Sequence, residues 1–205
     1  MAARFYERRI LPRVIDKVMD QAPLRELRAE VCAGLAGEIV EIGFGSGANV
    51  PFYPSTVTGV RAVDPAALGW ELAADRLATS TVPVELVGLD GQTLPVADDT
   101  AAAVLCTWTL CTIPDATLAL AEIRRVLAPG GALHFVEHGL AHQERGRTAQ
   151  RRLTPLWKHV AGGCHLDRPI DRLITDAGFD VDVRTFTMKG PKTFGSTYLG
   201  TARPS

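Results

Sequence analysis

Val40-Glu41-Ile42-Gly43-Phe44-Gly45-Ser46-Gly47-Ala48 ends an apolar run in a glycine loop, where a first strand hands the chain to a helix. Glycines at such a junction adopt backbone conformations closed to other residues and let main-chain N–H groups approach a nucleotide. Outward from it, short apolar runs suited to buried strands fall over 38–42, 59–63, 84–87, 102–106 and 132–137. Helical patterns separate several of them. Over 115–128, Asp115 stands as N-cap, and Ala116, Leu120, Ile123 and Leu127 form one stripe. Arg124 and Arg125 sit where the helix dipole favours cations, and Pro129, Gly130 and Gly131 stop the helix. A further helix is expected from near Asp167 to Gly178, with Ile170, Leu173, Ile174 and Ala177 on one face. Buried strands alternating with helices imply a parallel α/β sheet. Phe179, Val181 and Val183 then alternate with Asp180, Asp182 and Arg184. Gly190 and Pro191 turn the chain into 196–202, which predicts an antiparallel hairpin on the sheet edge.

The glycine loop by itself admits two ligands. Gly43, Gly45 and Ala48 satisfy the dinucleotide fingerprint, and Asp64 follows at about the 20-residue distance of a ribose-binding carboxylate. A nicotinamide-dependent (NAD) oxidoreductase is therefore one reading. Glu41 argues for another, because a carboxylate at the end of an otherwise apolar strand is costly to bury unless it answers a cationic or polar ligand. The methionine moiety of S-adenosylmethionine offers an ammonium there; a nicotinamide dinucleotide does not.

Four motifs in order carry a resemblance. Glu41-Ile42-Gly43-Phe44-Gly45-Ser46-Gly47 resembles the first motif of class I S-adenosylmethionine-dependent methyltransferases (methyltransferase type 11 domain), and Val63-Asp64-Pro65 resembles their second-strand end. Leu89-Asp90-Gly91-Gln92-Thr93-Leu94-Pro95 resembles the loop that contacts the adenine. Glu122-Ile123-Arg124-Arg125-Val126-Leu127-Ala128-Pro129-Gly130-Gly131 resembles the helix and turn before the fifth strand. The resemblance covers 35–140 and implies a Rossmann-like, seven-stranded, mostly parallel sheet completed by the C-terminal hairpin, with helices on both faces. It implies S-adenosyl-L-methionine as cofactor. Gly43, Gly45 and Gly47 would line its methionine and ribose side, and Glu41 would answer its ammonium directly or through water. Asp64, with Pro65 beside it, would accept from the ribose hydroxyls and Asp90 from the adenine amino group; backbone at Gly91 and around Thr107 would add to the site. Purely structural turns remain the other reading of Gly43, Gly45 and Asp90.

A finer likeness lies in Gly47-Ala48-Asn49 with Phe52-Tyr53-Pro54, Cys106-Thr107 with Leu110-Cys111, Glu137-His138, and Leu156-Trp157 with Gly163-Cys164 and Leu166. Together these resemble the methyltransferase-like thiol S-methyltransferases. Members of that family carry a membrane-anchoring N-terminus, which this chain is expected to lack, so a membrane location is not carried over. A lesser likeness to bacterial phosphatidylethanolamine N-methyltransferases would suit a basic N-terminal helix. His138, at the end of the fifth strand, is the candidate catalytic base for a thiol, with a satisfied structural histidine as the equal alternative. Strand alternation keeps Glu137 and His138 out of one pocket unless the strand bends. Cys111, Cys164 and His165 fit no dense ligand spacing, so they are taken as core and pocket lining and no metal is expected.

The rest bounds the answer. The 205 residues, read at roughly 150 per domain, form one domain over 1–205, with a helical cap over 1–35 and the Rossmann-like core over 36–205. With 22 basic and 23 acidic residues the formal net charge is −1, which gives no electrostatic drive toward nucleic acid. Arg4, Glu7, Arg8 and Arg9 interrupt any secretory signal, and the longest uncharged stretch, 42–60, is broken by glycines and prolines, so no transmembrane segment is expected. Four cysteines without a CxxC pair suggest a reducing, cytoplasmic setting. Ile10, Val14 and Val18, with Leu11 and Ile15, make one helical face and Arg9, Arg13 and Lys17 another. A cap packed over the domain, a lid or a peripheral membrane contact would each use it. Arg145, Arg147, Arg151, Arg152, Lys158 and His159 form a basic stretch, either a solvated face or part of an anionic acceptor's site. Trp157, Trp108, Phe52, Tyr53 and Tyr6 could wall a lipophilic pocket. The expected activity is methyl transfer to a small-molecule acceptor, a thiol or another lipophilic nucleophile. A phospholipid amine or a quinone carbon are the other acceptors, and a non-catalytic S-adenosylmethionine-binding protein is the rival outside enzymes.

Overall fold

The structure is a computed structural model that describes residues 6–188 and 196–205. One π-helical turn, Tyr6–Ile10, leads into helices α1 (Leu11–Met19) and α2 (Ala22–Cys32). Strands β1 (Gly37–Ile42) and β2 (Val57–Val63), helices α3 (Ala67–Leu72) and α4 (Ala74–Ala78), and strands β3 (Val84–Gly88) and β4 (Ala101–Thr107) follow. The chain continues through α5 (Ala116–Val126), β5 (Leu127–His138), α6 (Glu144–Val160), α7 (Ile170–Asp176), β6 (Phe179–Thr187) and β7 (Ser196–Pro204). The sheet has the order β3-β2-β1-β4-β5-β7-β6. The first five strands pair in parallel, and β7 runs antiparallel to both β5 and β6.

This order places the site. The chain winds outward from β1 to β3 and then returns to lay β4 on the other side of β1, so a crevice opens where β1 and β4 end. The expected parallel sheet and its C-terminal hairpin are both present. β7, however, is inserted between β5 and β6, so only β6 lies on the edge. Alternation along β6 could not reveal this, because β7, buried over 196–199, is the strand shielded on both sides. The turn at Gly190 and Pro191 lies outside the described residues.

Asp115 caps α5, accepting from the N–H groups of Thr117 at 2.9 Å and Leu118 at 3.1 Å. Ala119, Leu120, Ile123 and Val126 are buried against the sheet. The helix expected from Asp167 begins three residues later, at Ile170. Asp167 instead accepts from the Thr154 hydroxyl, and Arg168 donates to the carbonyls of Leu110 and Pro114.

The N-terminal helix differs from an apolar-face cap. In α1 only Leu11 is buried, while Val14, Ile15 and Val18, and Ile10 just before the helix, remain 43 to 48% exposed. Its polar side docks instead: Asp16 accepts from Ser46 Oγ at 2.6 Å and from Arg76 Nη1 at 2.8 Å. An ion pair of this kind, partly shielded, holds a short helix without apolar burial. The packed part of the cap is α2, whose Leu27, Val31 and Cys32 join Leu35, Ile39 and Val136 in a core cluster.

Candidate active site

The loop after β1 is open backbone held by neighbours. Gly43, Gly45 and Gly47 have φ of +78°, +56° and +71°, the left-handed region that glycine alone enters freely. A β-carbon on Gly45 would meet nothing nearer than the Gly43 carbonyl at 3.9 Å, so the loop presents bare main chain to the crevice. From the end of β2, Asp64 accepts the Gly45 N–H on Oδ2 at 2.8 Å and the Ala66 N–H on Oδ1 at 2.7 Å. Burial raises its pKa against these two hydrogen bonds. Pro65 beside it is exposed. Gly91, buried after β3, packs so closely on Ile42 that an added β-carbon would lie 2.7 Å from Ile42 Cγ2. Asp90 is exposed and caps its own turn, accepting from both the backbone and side-chain N–H groups of Gln92.

Beneath the loop lies a buried polar network. Glu41 is 1% exposed; its Oε1 accepts from Asn49 Nδ2 at 2.9 Å and its Oε2 from the Tyr53 hydroxyl. Asn49 Nδ2 also reaches Thr107 Oγ1 at 3.0 Å, while Arg28 Nη1 donates to Asn49 Oδ1 at 2.7 Å and to Thr107 Oγ1 at 3.0 Å. The Arg28 guanidinium also covers the Trp108 ring at 4.7 Å, and its buried Nε has no hydrogen-bond partner. Burial pushes the Glu41 carboxyl up to about 7, against the pull of Tyr53, Asn49 and the Arg28 charge.

That shift makes a stability prediction. The folded chain holds the Glu41 proton more tightly than the unfolded chain does. The associated stability is therefore full below the ordinary carboxylate range and is lost as pH rises toward about 7. Between about pH 5 and about pH 8 the loss is on the order of 3 kcal/mol. Glu41→Gln should flatten this part of the profile in thermal unfolding; an unchanged slope in the variant would show that another group titrates.

The end of β4 is bent. Trp108 has φ of +51°, unusual for a bulky residue, and the chain then turns back over the end of β5. Glu137, wholly buried, fixes this turn: Oε1 accepts from the N–H groups of Thr109 at 2.7 Å and Leu110 at 2.9 Å, and Oε2 from Cys111 at 3.3 Å. His138, the next residue, places Nε2 2.8 Å from Cys164 Sγ. Glu137 therefore holds the turn after β4, while His138 meets the segment between α6 and α7. Trp157 Nε1 donates to the same sulfur at 3.3 Å. One ligand atom each from Cys111, His138 and Cys164 lies within 4.8 Å of the others. Hydrogen bonding from Cys111 draws the Cys164 thiol well below its ordinary value despite burial, with His138 and Trp157 assisting. Burial alone would lower His138, but Cys164 and Glu137 outweigh it and raise its pKa. His165 stands apart from this group, its N–H and Nδ1 both directed at the Cys111 carbonyl.

The structure thus brings the glycine loop, Asp64, Gly91 and Thr107 to one crevice, and gathers His138 with two cysteines at its β5 side. Arg28 and Thr109 had no assigned role in the sequence reading, Tyr53 was read as a pocket wall and is found donating to Glu41, and Glu137 was read only as the neighbour of His138. Of these, Glu137 carried a signal, being a carboxylate in a buried strand.

The methyltransferase domain family matches residues 40–135. The chain is 34% identical over 165 residues to thiol S-methyltransferase TMT1B of Rattus norvegicus, covering 76% of this chain and 66% of that protein, slightly under two thirds of the relative's length. It is 25% identical over 176 residues to a phosphatidylethanolamine N-methyltransferase of Cereibacter sphaeroides, covering 82% and 81%. In fold it is similar to an S-adenosylmethionine-dependent methyltransferase of Thermotoga maritima, with a TM-score of 0.69, 22% identity and full coverage of both chains.

Proposed function

The chain belongs to the S-adenosylmethionine-dependent methyltransferases, and from that premise we propose that it transfers the methyl group to the sulfur of a small, lipophilic thiol. Bound S-adenosylmethionine supplies an electrophilic methyl on a sulfonium sulfur. The residues present suit it: open glycine backbone at 45, Gly43 pressed against Thr109, a carboxylate at Asp64 against the loop, and the buried Glu41 network beneath. In this reading Gly43, Gly45 and Gly47 cradle the methionine and ribose, Asp64 with Pro65 takes the ribose, and Glu41 answers the ammonium. Asp90, Gly91 and Thr107 complete the cofactor's surroundings.

One observation supports the thiol reading: His138, at the end of β5, already holds a sulfur, with Nε2 at 2.8 Å from Cys164 Sγ. The curated relative's name, thiol S-methyltransferase, supports the same substrate class. His138 is assigned to the acceptor sulfur, and the transfer is an in-line displacement at about 3 Å. A phospholipid amine is the second reading. It is favoured by the 25% relative and by exposed apolar residues next to basic ones, Val14 and Val18 with Arg13 and Lys17, and Leu153, Leu156 and Val160 with Arg152 and Lys158. Such faces suit peripheral contact with a lipid surface, and no helix among the described residues is long and apolar enough to cross a membrane.

The test is release of S-adenosylhomocysteine in the presence of an alkyl thiol, with the matched alcohol, amine and phosphatidylethanolamine vesicles as controls. Release with the thiol alone is expected, and His138→Ala should lower that turnover while leaving cofactor affinity intact. Release with the vesicles alone would transfer the assignment to the phospholipid. Asp64→Ala should weaken cofactor binding at least about tenfold; calorimetry showing unchanged affinity would remove Asp64 from the ribose site.

A further inference from the structure

Cys111, His138 and Cys164 come from three separate segments. Cys111 follows β4, His138 ends β5, and Cys164 lies between α6 and α7. Each brings one soft or borderline donor atom, all within 4.8 Å of one another, and none of the three is an oxygen. Both cysteines are buried, at 1% and 7% exposure, and neither forms a disulfide. Contacts around the cluster hold each residue in place and tie the Cys111 and Cys164 segments together. Cys111 is fixed by its N–H on Glu137 and its carbonyl on the His165 N–H at 2.8 Å, and Cys164 by the indole N–H of Trp157. A buried sulfur pair with an imidazole and an N–H directed at one sulfur is the donor set and surrounding shell of a thiolate metal site.

We propose that these three residues bind a zinc ion with one position left open, and that the open position takes the acceptor thiol as its thiolate. The inference rests on the thiol reading above and makes His138 a ligand in it. Sulfur and imidazole donors select zinc over magnesium or calcium, which want oxygen. Two thiolates balance the charge of the ion, as a buried site requires. Tetrahedral zinc needs donor–donor edges of about 3.6 to 3.8 Å. The His138–Cys164 approach of 2.8 Å is then the hydrogen bond of the metal-free state, which the ion replaces. The location fits the reaction: Cys111 lies two residues beyond Thr109, whose side chain packs directly against Gly43 of the cofactor loop.

The transfer balances as follows. The acceptor thiol binds the ion and gives its proton to solvent, because a coordinated thiol is deprotonated. The thiolate electron pair forms the new S–C bond to the methyl carbon. The sulfonium S–C bond breaks, its pair staying on the sulfur of S-adenosylhomocysteine. The neutral thioether, a poor ligand, leaves, and the zinc is unchanged in charge.

The test uses the full chain, stripped with a chelator under reducing conditions and reloaded with Zn2+ or Co2+. Elemental analysis after gel filtration should give about one ion per chain. The cobalt form should show sulfur-to-cobalt charge transfer in the near ultraviolet and the intense visible bands of a tetrahedral site. Cys164→Ser and His138→Ala should each lose the ion, with the fold checked by circular dichroism. Adding heptanethiol to the wild-type cobalt protein should strengthen the charge-transfer band, a readout that needs no variant. Substoichiometric metal in the wild type, full retention in Cys164→Ser, or a spectrum indifferent to heptanethiol would each overturn the proposal. Thiol methylation that persists in the stripped protein would remove the zinc and leave the thiol reading standing. Zinc bound by a protein that methylates only the alcohol or amine would remove the thiol reading itself.

Discussion

Gly43→Ala is expected to weaken S-adenosylmethionine binding by more than about 100-fold, equivalent to roughly 2.7 kcal/mol, and to lower thermal stability as well. Gly43 has φ of +78°, and an alanine held there costs about 1 to 2 kcal/mol from backbone strain. The larger effect is steric. A β-carbon at this position would overlap Thr109 Oγ1 and stand 2.7 Å from Thr109 Cβ, which is fixed to the backbone and cannot swing away. The loop must therefore move, breaking the 2.8 Å bond from the Gly43 N–H to the Val63 carbonyl that joins it to β2. Gly45→Ala is the informative comparison, because its β-carbon meets nothing within van der Waals contact except the Gly43 carbonyl at 3.9 Å. At φ of +56° that variant carries the backbone strain of about 1 to 2 kcal/mol but not the clash, so it should melt well above Gly43→Ala and lose affinity because the methyl occupies ligand space. Calorimetry and thermal melts on both variants separate the effects. Equal melting losses in the two would mean that Thr109 does not press on the loop.

The parts of this architecture legible in the sequence are those whose signal is local. The glycine loop and Asp64 were readable because bare backbone and a strand-end acid must occur at set distances. Asp115 was readable because a cap acts within three residues. The β7 insertion was not, since pairing order depends on which strand best shields another, and alternation along β6 is the same in either place. The N-terminal helix shows a different limit: its apolar periodicity says which residues share a face, and Asp16 on the opposite face decided which side docks. Cys111, His138 and Cys164 are separated by 27 and 26 positions, so no spacing rule could join them. His165 looked the nearer partner of Cys164 only because it is adjacent in sequence. Asp90 was open to two readings, and its side chain is found closing a turn on Gln92.

Removing the Glu137 carboxylate should be the most damaging single change outside the glycine loop. Glu137→Ala would leave the N–H groups of Thr109, Leu110 and Cys111 without their acceptor, in a place with no access to water. Each of the three buried orphans costs about 1 to 3 kcal/mol, so a loss of roughly 3 to 9 kcal/mol is expected. At roughly 2 to 4 °C per kcal/mol for a chain of this size, that lowers the melting temperature by more than about 6 °C. Glu137→Gln keeps one oxygen acceptor and the volume, so it should keep the Thr109 and Leu110 bonds and lose mainly the weaker one to Cys111. The two variants also divide the function. Thr109 sits against Gly43 and Cys111 against Cys164, so the alanine variant should lose cofactor affinity and thiol turnover together. The glutamine variant should retain affinity and lose turnover, because only the Cys111 end of the turn is released. A glutamine variant with normal turnover would show that the position of Cys111 does not matter to the acceptor side, and the sulfur cluster would then have to be read as packing.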